Sequence, residues 1–339
     1  MRRAFHEDRK FIMGIAVLLV VFFHTEFLLP SVITYIRRLG YIQVDVFMVL
    51  SGFGLYYSYH KTASLKEYYK KRMLRILPTY WCLACVFFIF QITRRSISAL
   101  EIIGVFSATS LWIPDMSVFS WFAQLIIMVY LMSPMIIMLV DEMRNGYKFV
   151  LLCMLLILPF ITNSRLMMAV VRVPSFVLGV VFAKCSETNR NSNIITGKQT
   201  LLSFVLGLAL LGGIRVFFTS WLLSTTGTEY YLVFIPSILL VPGILWGISM
   251  INRILMKVNA GKRVSLLVSC LGEYTFEIYL FQSLLYMAVN EFLPVVSKNN
   301  MFLLMLAFIA ILGGYLFGRF VSKPIQYGMI QLAGRKQHA

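Results

Sequence analysis

The sequence predicts an all-α integral membrane protein with about ten transmembrane helices, both termini cytoplasmic and no soluble domain. Three observations predict it. Of the 339 residues, 59% are hydrophobic and only 13% charged. That is about half the charged share of a soluble domain, and a soluble fold of this size cannot hide so much apolar surface. Apolar runs long enough to span a bilayer recur near 11–29, 40–59, 76–93, 120–140, 149–163, 166–184, 200–223, 232–251, 266–290 and 301–321. All but the fifth are near the length of about 20 helical residues that a hydrocarbon core requires. Finally, the basic residues alternate. With the N-terminus inside, 23 of the 31 Lys and Arg residues fall in inward segments and 6 in outward ones, leaving Arg172 and Arg215 within spans. Such a bias sets orientation in membranes.

The elements follow in order. The first run is too long for a cleavable signal peptide and lacks a small-residue cleavage site, so it is expected to be a retained helix. The second, "GYIQVDVFMVLSGFGLYY", carries Asp45, and Gly52 and Gly54 permit close approach of a helix or ligand. The third opens on "KEYYKKRMLRILPTYW" (66–81), where Pro78 restricts Leu77 and predicts a break or kink. An apolar piece at 102–113, with Ser107, Thr109 and Ser110, is too short to cross and reads as re-entrant or interfacial. Had it crossed, the basic loops 184–199 and 252–265 would face outward, against the charge bias. The fifth run is short. No internal repeat or low-complexity tract is evident, and the longest polar connection is "KCSETNRNSNIITGKQ" (184–199). A membrane domain over 8–325 and a cytoplasmic tail over 326–339 are expected, with any chemistry drawn from residues in or beside the helices.

Two function classes recede. The net charge of +17 follows the predicted topology rather than one soluble face, which argues against nucleic acid. The five cysteines form no disulfide framework. Cys82 and Cys85 make a C-x-x-C within "YWCLACVFFIF", with no second pair or spaced histidines, so they read as packing residues and no metal is expected.

Ionisable residues within spans are costly and point to function. Here they are His24, Glu26, Asp45, Arg172, Arg215, Glu273 and Glu277. On periodicity alone His24 reads as a buried structural histidine or as a catalytic one. Asp45 reads as a site residue or as the partner of an arginine, and Ser51 as a helix-packing serine or a nucleophile. Arg72 and Arg75, three apart on one face with Lys70 and Lys71 beside them, suit phosphate oxygens. They also suit an anchor on anionic headgroups. Glu273 and Glu277, four apart on the ninth span, suit acid/base work or interhelical hydrogen bonding.

Together these stretches resemble the membrane-bound acyltransferase family 3. "MGIAVLLVVFFH" resembles the first-helix motif ending in His24. "GYIQVDVFMVLSGF" resembles the G-x-x-G-V-D-x-F-F-V-L-S-G-F signature, with Asp45, Ser51 and Gly52 in register. "YYKKRMLRILPTYW" resembles R-x-x-R-I-x-P-x-Y-W through Arg72, Arg75, Pro78 and Tyr80. Trp121, Tyr130 and Pro134 match a W…Y-L-x-x-P pattern, and "VPSFVLGVVFAK" and "GEYTFEIYLF" fit later motifs. The sequence differs where Met13 stands for a basic residue, Leu125 to Ile127 for acidic ones and Gln282 for a histidine.

The resemblance implies a multi-pass plasma-membrane O-acyltransferase acting on sugars of cell-surface polysaccharides, with acetyl-CoA as donor and a sugar hydroxyl as acceptor. It implies Lys71, Arg72, Arg75 and Tyr80 for donor binding and His24 as general base or acyl carrier, with Asp45 or Glu277 orienting the imidazole. Tyr80, Gln282 or backbone N–H groups are the candidates for an oxyanion stabiliser. His24 would sit roughly 20 Å from the cytoplasmic end of its helix, a gap an extended pantetheine arm could bridge. The rivals are a transporter or polysaccharide-export component, which would call for inverted repeats, and a catalytically silent relative.

Overall fold

The computed structural model describes residues 2–93, 96–113, 116, 118–144, 147–148, 151, 155, 164–188, 196–222, 235–293 and 299–335. Most of the fifth apolar run, the 189–195 part of the long connection, and Arg94, Arg95 and Lys298 lie outside the described residues, as do the side chains of Arg165 and Arg215.

Among the described residues every regular element is helical. The α-helices are α1 (Arg2–His6), α2 (Arg9–His24), α3 (Ser31–Arg38), α4 (Ile42–His60), α5 (Leu65–Ile92), α6 (Ala99–Phe106), α7 (Trp121–Glu142) and α8 (Ser164–Val170). They continue with α9 (Val173–Thr188), α10 (Gly197–Leu222), α11 (Ile235–Leu255), α12 (Asn259–Gly272), α13 (Thr275–Phe292), α14 (Asn300–Phe317) and α15 (Lys323–Arg335). A 3-10 turn, Leu39–Tyr41, joins α3 to α4, and a π-helical turn, Gly318–Ser322, joins α14 to α15. Among the described residues seven stretches are long and apolar enough to cross a bilayer: Ser31–His60, Leu65–Ile92, Trp121–Glu142, Leu166–Thr188, Gly197–Ile214, Pro236–Leu255 and Asn300–Gln331. The pair α12 and α13 would add an eighth if the two form one span.

Two local features differ from the sequence expectation. The ninth apolar run is not one helix, because the chain breaks at Glu273 and Tyr274. Glu273 caps the end of α12 and Glu277 lies in the first turn of α13, so the two carboxylates do not share a helix face. At Pro78 no break occurs: α5 runs unbroken for 28 residues. A proline leaves a helix short of one donor near its preceding turn. Here the side chain of Gln326 donates to the carbonyl of Arg75 at 3.0 Å and supplies a bond in that turn. Gln326, in α15, also reaches Thr79 and Ser322 at 3.2 and 2.9 Å. Over 102–113, the eight-residue α6 rises only about 12 Å. It starts on a Ser98–Glu101 capping box and ends in a turn with Ala108 at φ 58°.

The chain folds as two compact units, each discontinuous in sequence. The first comprises Met1–Ala16, Tyr41–Thr62 and Met132–Glu273. Its centre is α4, apolar almost all round and buried from Ile42 to Leu50, the pattern of a core helix. α4 packs on α9 backbone to backbone. A Cβ on Gly52 would lie 2.2 Å from the Phe176 carbonyl oxygen, and one on Gly179 2.1 Å from that of Val49. Small residues at such crossings let helices approach where the hydrophobic effect gives no drive. Above this contact Asp45 is paired with Arg172, both almost wholly buried, and Ser175 donates to its other oxygen at 2.7 Å. A buried carboxylate is tolerated only with such partners. At the other end of α4, Tyr56 donates to Asp141 at 3.1 Å, and Asp141 holds His60 at 3.0 Å and Lys184 at 3.1 Å. The N-terminus is locked by Phe5 stacking on Phe53 at 4.1 Å and by buried Asp8 accepting from Asn252 at 2.7 Å and from Ser249.

The second unit comprises Val17–Gly40, Ala63–Leu131 and Tyr274–Ala339. Here α5 starts on an N-cap at Ser64, which accepts from the Glu67 amide. Tyr69 ties its first turns to the Leu131 carbonyl at 2.7 Å, and Tyr80 ties its middle to the Val105 carbonyl at 2.8 Å. Gln124 clamps the turn after α6 by donating to Ser110 at 2.9 Å and accepting from the Leu111 amide at 2.7 Å.

Gly52→Ala and Gly179→Ala are therefore expected to destabilise the purified protein by about 1–3 kcal/mol each, since the Cβ meets backbone that cannot rotate away; thermal unfolding in detergent measures it. Arg172→Ala should cost more, about 3–5 kcal/mol, by stranding Asp45 without its charge partner. Asp45→Leu with Arg172→Met should recover much of that loss in the same assay.

Candidate functional site

His24 is the last residue of α2. The helix stops there because its final carbonyls are taken by side chains and not by a further turn. The Thr25 hydroxyl donates to the Val21 carbonyl at 2.8 Å. Its proton being so used, Thr25 accepts from the hydroxyl of Tyr286 on α13. Arg37, on α3, donates through Nη1 to the Phe23 carbonyl and, at 3.1 Å, to the Thr25 carbonyl. The guanidinium thus brackets His24 on both sides in the chain. A cation at a helix C-terminus also complements the partial negative charge there.

The imidazole itself is exposed, with its Nδ1 2.9 Å from the Val20 carbonyl. A carbonyl can only accept, so Nδ1 carries the proton in the neutral ring. The lone pair then belongs to Nε2, which meets no protein group among the described residues. A ring held in this tautomer can accept a proton at Nε2.

At the other end of α13 lies a second cluster. Glu277 is buried in the first turn, where the helix N-terminus favours negative charge. Ser322 donates to its Oε1 at 3.0 Å. The hydroxyl of Thr79 meets Ser322, and Gln326 completes the set. Ser322 closes the π-helical turn, an irregularity often found at functional positions. Arg75 and Lys323 lie within electrostatic reach of the carboxylate.

The basic residues sit close by on α5. Arg75 is exposed and Arg72 half-buried, with its guanidinium over the Tyr68 ring at 5.9 Å. Arg72 Nε is buried and has no partner among the described residues. Exposed Lys71 pairs with Glu67 at 2.6 Å. Between the two clusters, on α13, Gln282 is 2% exposed and its Oε1 likewise meets no partner among the described residues.

The second unit holds His24, Arg72, Arg75, Lys71 and Glu277; the end of α2 is tied to α13 through Thr25 and Tyr286, and Glu277 lies in the first turn of α13. Tyr80 is there too, but its hydroxyl proton is given to Val105. Asp45 belongs to the first unit, engaged by Arg172 and Ser175. Glu273 also belongs to the first unit, paired with Lys10. Sequence reasoning did not single out Arg37, Tyr286, Ser322 or Thr79. Arg37 lies between the first two apolar runs, one of the six outward basic residues, and nothing in "SVITYIRRLG" marks it as buried. Among the described residues no group of three or more His, Cys, Asp or Glu side chains is placed to hold a metal ion.

No curated protein and no solved structure matches the chain. A family model described as an acyltransferase domain matches residues 11–319, a span that takes in both clusters. On that match the chain belongs to the membrane-bound acyltransferase family 3, as a multi-pass acyltransferase of groups other than aminoacyl groups.

Proposed function

We propose that the protein is a plasma-membrane O-acyltransferase that moves an acyl group, acetyl in the simplest case, from acyl-CoA to a hydroxyl of a cell-surface or exopolysaccharide sugar. The observation that carries this reading is the tautomer of His24, whose free Nε2 is a base at an exposed helix end. Arg72 and Arg75 take the phosphates of CoA, in the bidentate manner of guanidinium groups. Lys71 adds to the field. Glu277 sits beside Arg75 and holds that end of the site in place through Ser322 and Thr79.

The spacing suits this division. Glu277 and Tyr286, which mark the two clusters, are nine residues apart on α13, about 14 Å along the helix axis. An extended pantetheine arm reaches across such a distance. The thioester then lies near His24 while the phosphates stay at the basic end. With both termini inside and about ten spans, the basic end faces the cytoplasm and His24 the far side, so that acyl groups leave the cell while CoA does not.

In the reaction, His24 Nε2 takes the proton of the acceptor hydroxyl as its oxygen bonds to the thioester carbon. The C–S bond breaks, the thiolate of CoA leaves, and the imidazolium returns its proton to sulfur. The proposal gives Tyr80 and Asp45 no chemical step. The hydroxyl proton of Tyr80 is committed to Val105, and both carboxylate oxygens of Asp45 are engaged.

In membranes containing the protein, acetyl-CoA should release free CoA. His24→Ala should lower that rate by at least about 100-fold. Arg72→Ala and Arg75→Ala should instead raise KM for acetyl-CoA about tenfold each, a loss of about 1.4 kcal/mol of binding. Cells lacking the protein should lose one O-acetyl signal from their surface glycans. CoA release unchanged in His24→Ala, at equal protein level, rules the reading out.

A further inference from the structure

Arg37 presents an arrangement that anchoring a helix end does not explain. Its side chain is 7% exposed. Nη1 alone makes both bonds to the end of α2. Nε is buried and has no partner among the described residues, and no carboxylate there lies within ion-pair distance of the guanidinium. A buried guanidinium N–H without an acceptor carries a desolvation cost. An anchor needs no such cost, because a lysine ammonium could serve the same two carbonyls. What a guanidinium adds is a second edge, Nε–H with Nη2–H, in the fixed plane that grips oxyanions.

The position of that edge gives it a use. The carbonyls that hold Nη1 belong to the residues on either side of His24. The spare donors are therefore fixed next to the residue whose Nε2 takes up the acceptor's proton. When the acceptor oxygen bonds to the thioester carbon, the carbonyl π electrons move onto oxygen and leave a full negative charge. Donors held ready where that charge develops, in surroundings of low dielectric, stabilise the transition state more than the ground state.

We propose that Arg37 is a catalytic residue that stabilises the oxyanion of the tetrahedral intermediate through its Nε–Nη2 edge. This rests on the reading of His24 as the base. The acyl carbon keeps its oxygen throughout: the charge sits on that oxygen while the new C–O bond is complete and the C–S bond intact. It returns to the carbonyl as CoA thiolate leaves. Arg37 stays protonated and exchanges no proton.

The test uses the full-length protein in detergent and acetyl-CoA with water as acceptor, since hydrolysis passes through the same oxyanion. Arg37→Lys keeps a cation for the Phe23 and Thr25 carbonyls and removes the fork. It should lower kcat for CoA release by about 100-fold, the usual size of one lost oxyanion donor. KM for acetyl-CoA should stay within about twofold, which marks an interaction made in the transition state, and thermal stability should be unchanged. Arg37→Ala should be slower still and should recover part of its kcat in added guanidinium. Wild-type kcat in Arg37→Lys overturns the proposal, as does a rise in KM alone, which would place the group on the donor's ground state. A fall in kcat that tracks a fall in thermal stability overturns it too, reducing Arg37 to an anchor. If His24→Ala also keeps its rate, or the wild type releases no CoA, the acyl-transfer reading fails first. If His24→Ala is inactive and Arg37→Lys is not, only the role of Arg37 fails.

Discussion

The last carbonyls of a helix have no partner within it, and the candidate site is built on how α2 meets that cost. The last turn of α2 is closed by Thr25 and Arg37 in place of solvent. Thr25 recruits Tyr286, which ties the end to α13. These contacts fix where His24 stands and, through the Val20 carbonyl, which of its nitrogens is basic. The groups that satisfy the backbone and the groups that would do the chemistry are thus the same few side chains. For this reason the helix end cannot be altered without touching the site.

The same economy recurs at the other end of α13. A buried Glu277 needs partners, and the π-helical turn supplies one in Ser322, whose hydroxyl donates to the carboxylate. Gln326 then meets Thr79, Ser322 and the backbone beside Pro78. One network therefore stabilises a proline-containing helix, a buried carboxylate and a helix junction together. It also holds α5, and with it Arg72 and Arg75, against α13.

Much of this was legible in the sequence, for reasons that are physical. Apolar length marks the spans and residue type marks the ionisable groups within them, so His24, Asp45 and Glu277 stood out. The Arg72–Arg75 pair was visible because a three-residue spacing places both on one face. What could not be read was tertiary. Pro78 predicted a break or kink, and the helix continues through it, with a glutamine more than 240 residues later bonded to a carbonyl in the preceding turn. Glu273 and Glu277 looked like one pair, and a break just after Gly272 separates them. Arg37 looked like a loop charge, since burial of an arginine depends on which carbonyls it finds.

The placement of Asp45 bears on what a motif residue can mean. An aspartate within "VDVFMVLSGF" suggests chemistry, yet its carboxylate is filled by Arg172 and Ser175. Directly below, Gly52 and Gly179 bring the backbones of α4 and α9 together. At so close a crossing, neighbouring polar side chains must pair with one another, because nothing else can enter to satisfy them. Asp45 and Gly52 in this stretch then answer one demand, the tight packing of α4 on α9. That demand is independent of acyl transfer, so the stretch would be retained even where the partners of His24 changed. Met13, Ile127 and Gln282 differ from what the resemblance implies, and none of them belongs to that crossing. The packing signature and the chemical signature of this fold can therefore vary separately, and the chemistry has to be read from what surrounds His24 in the folded chain.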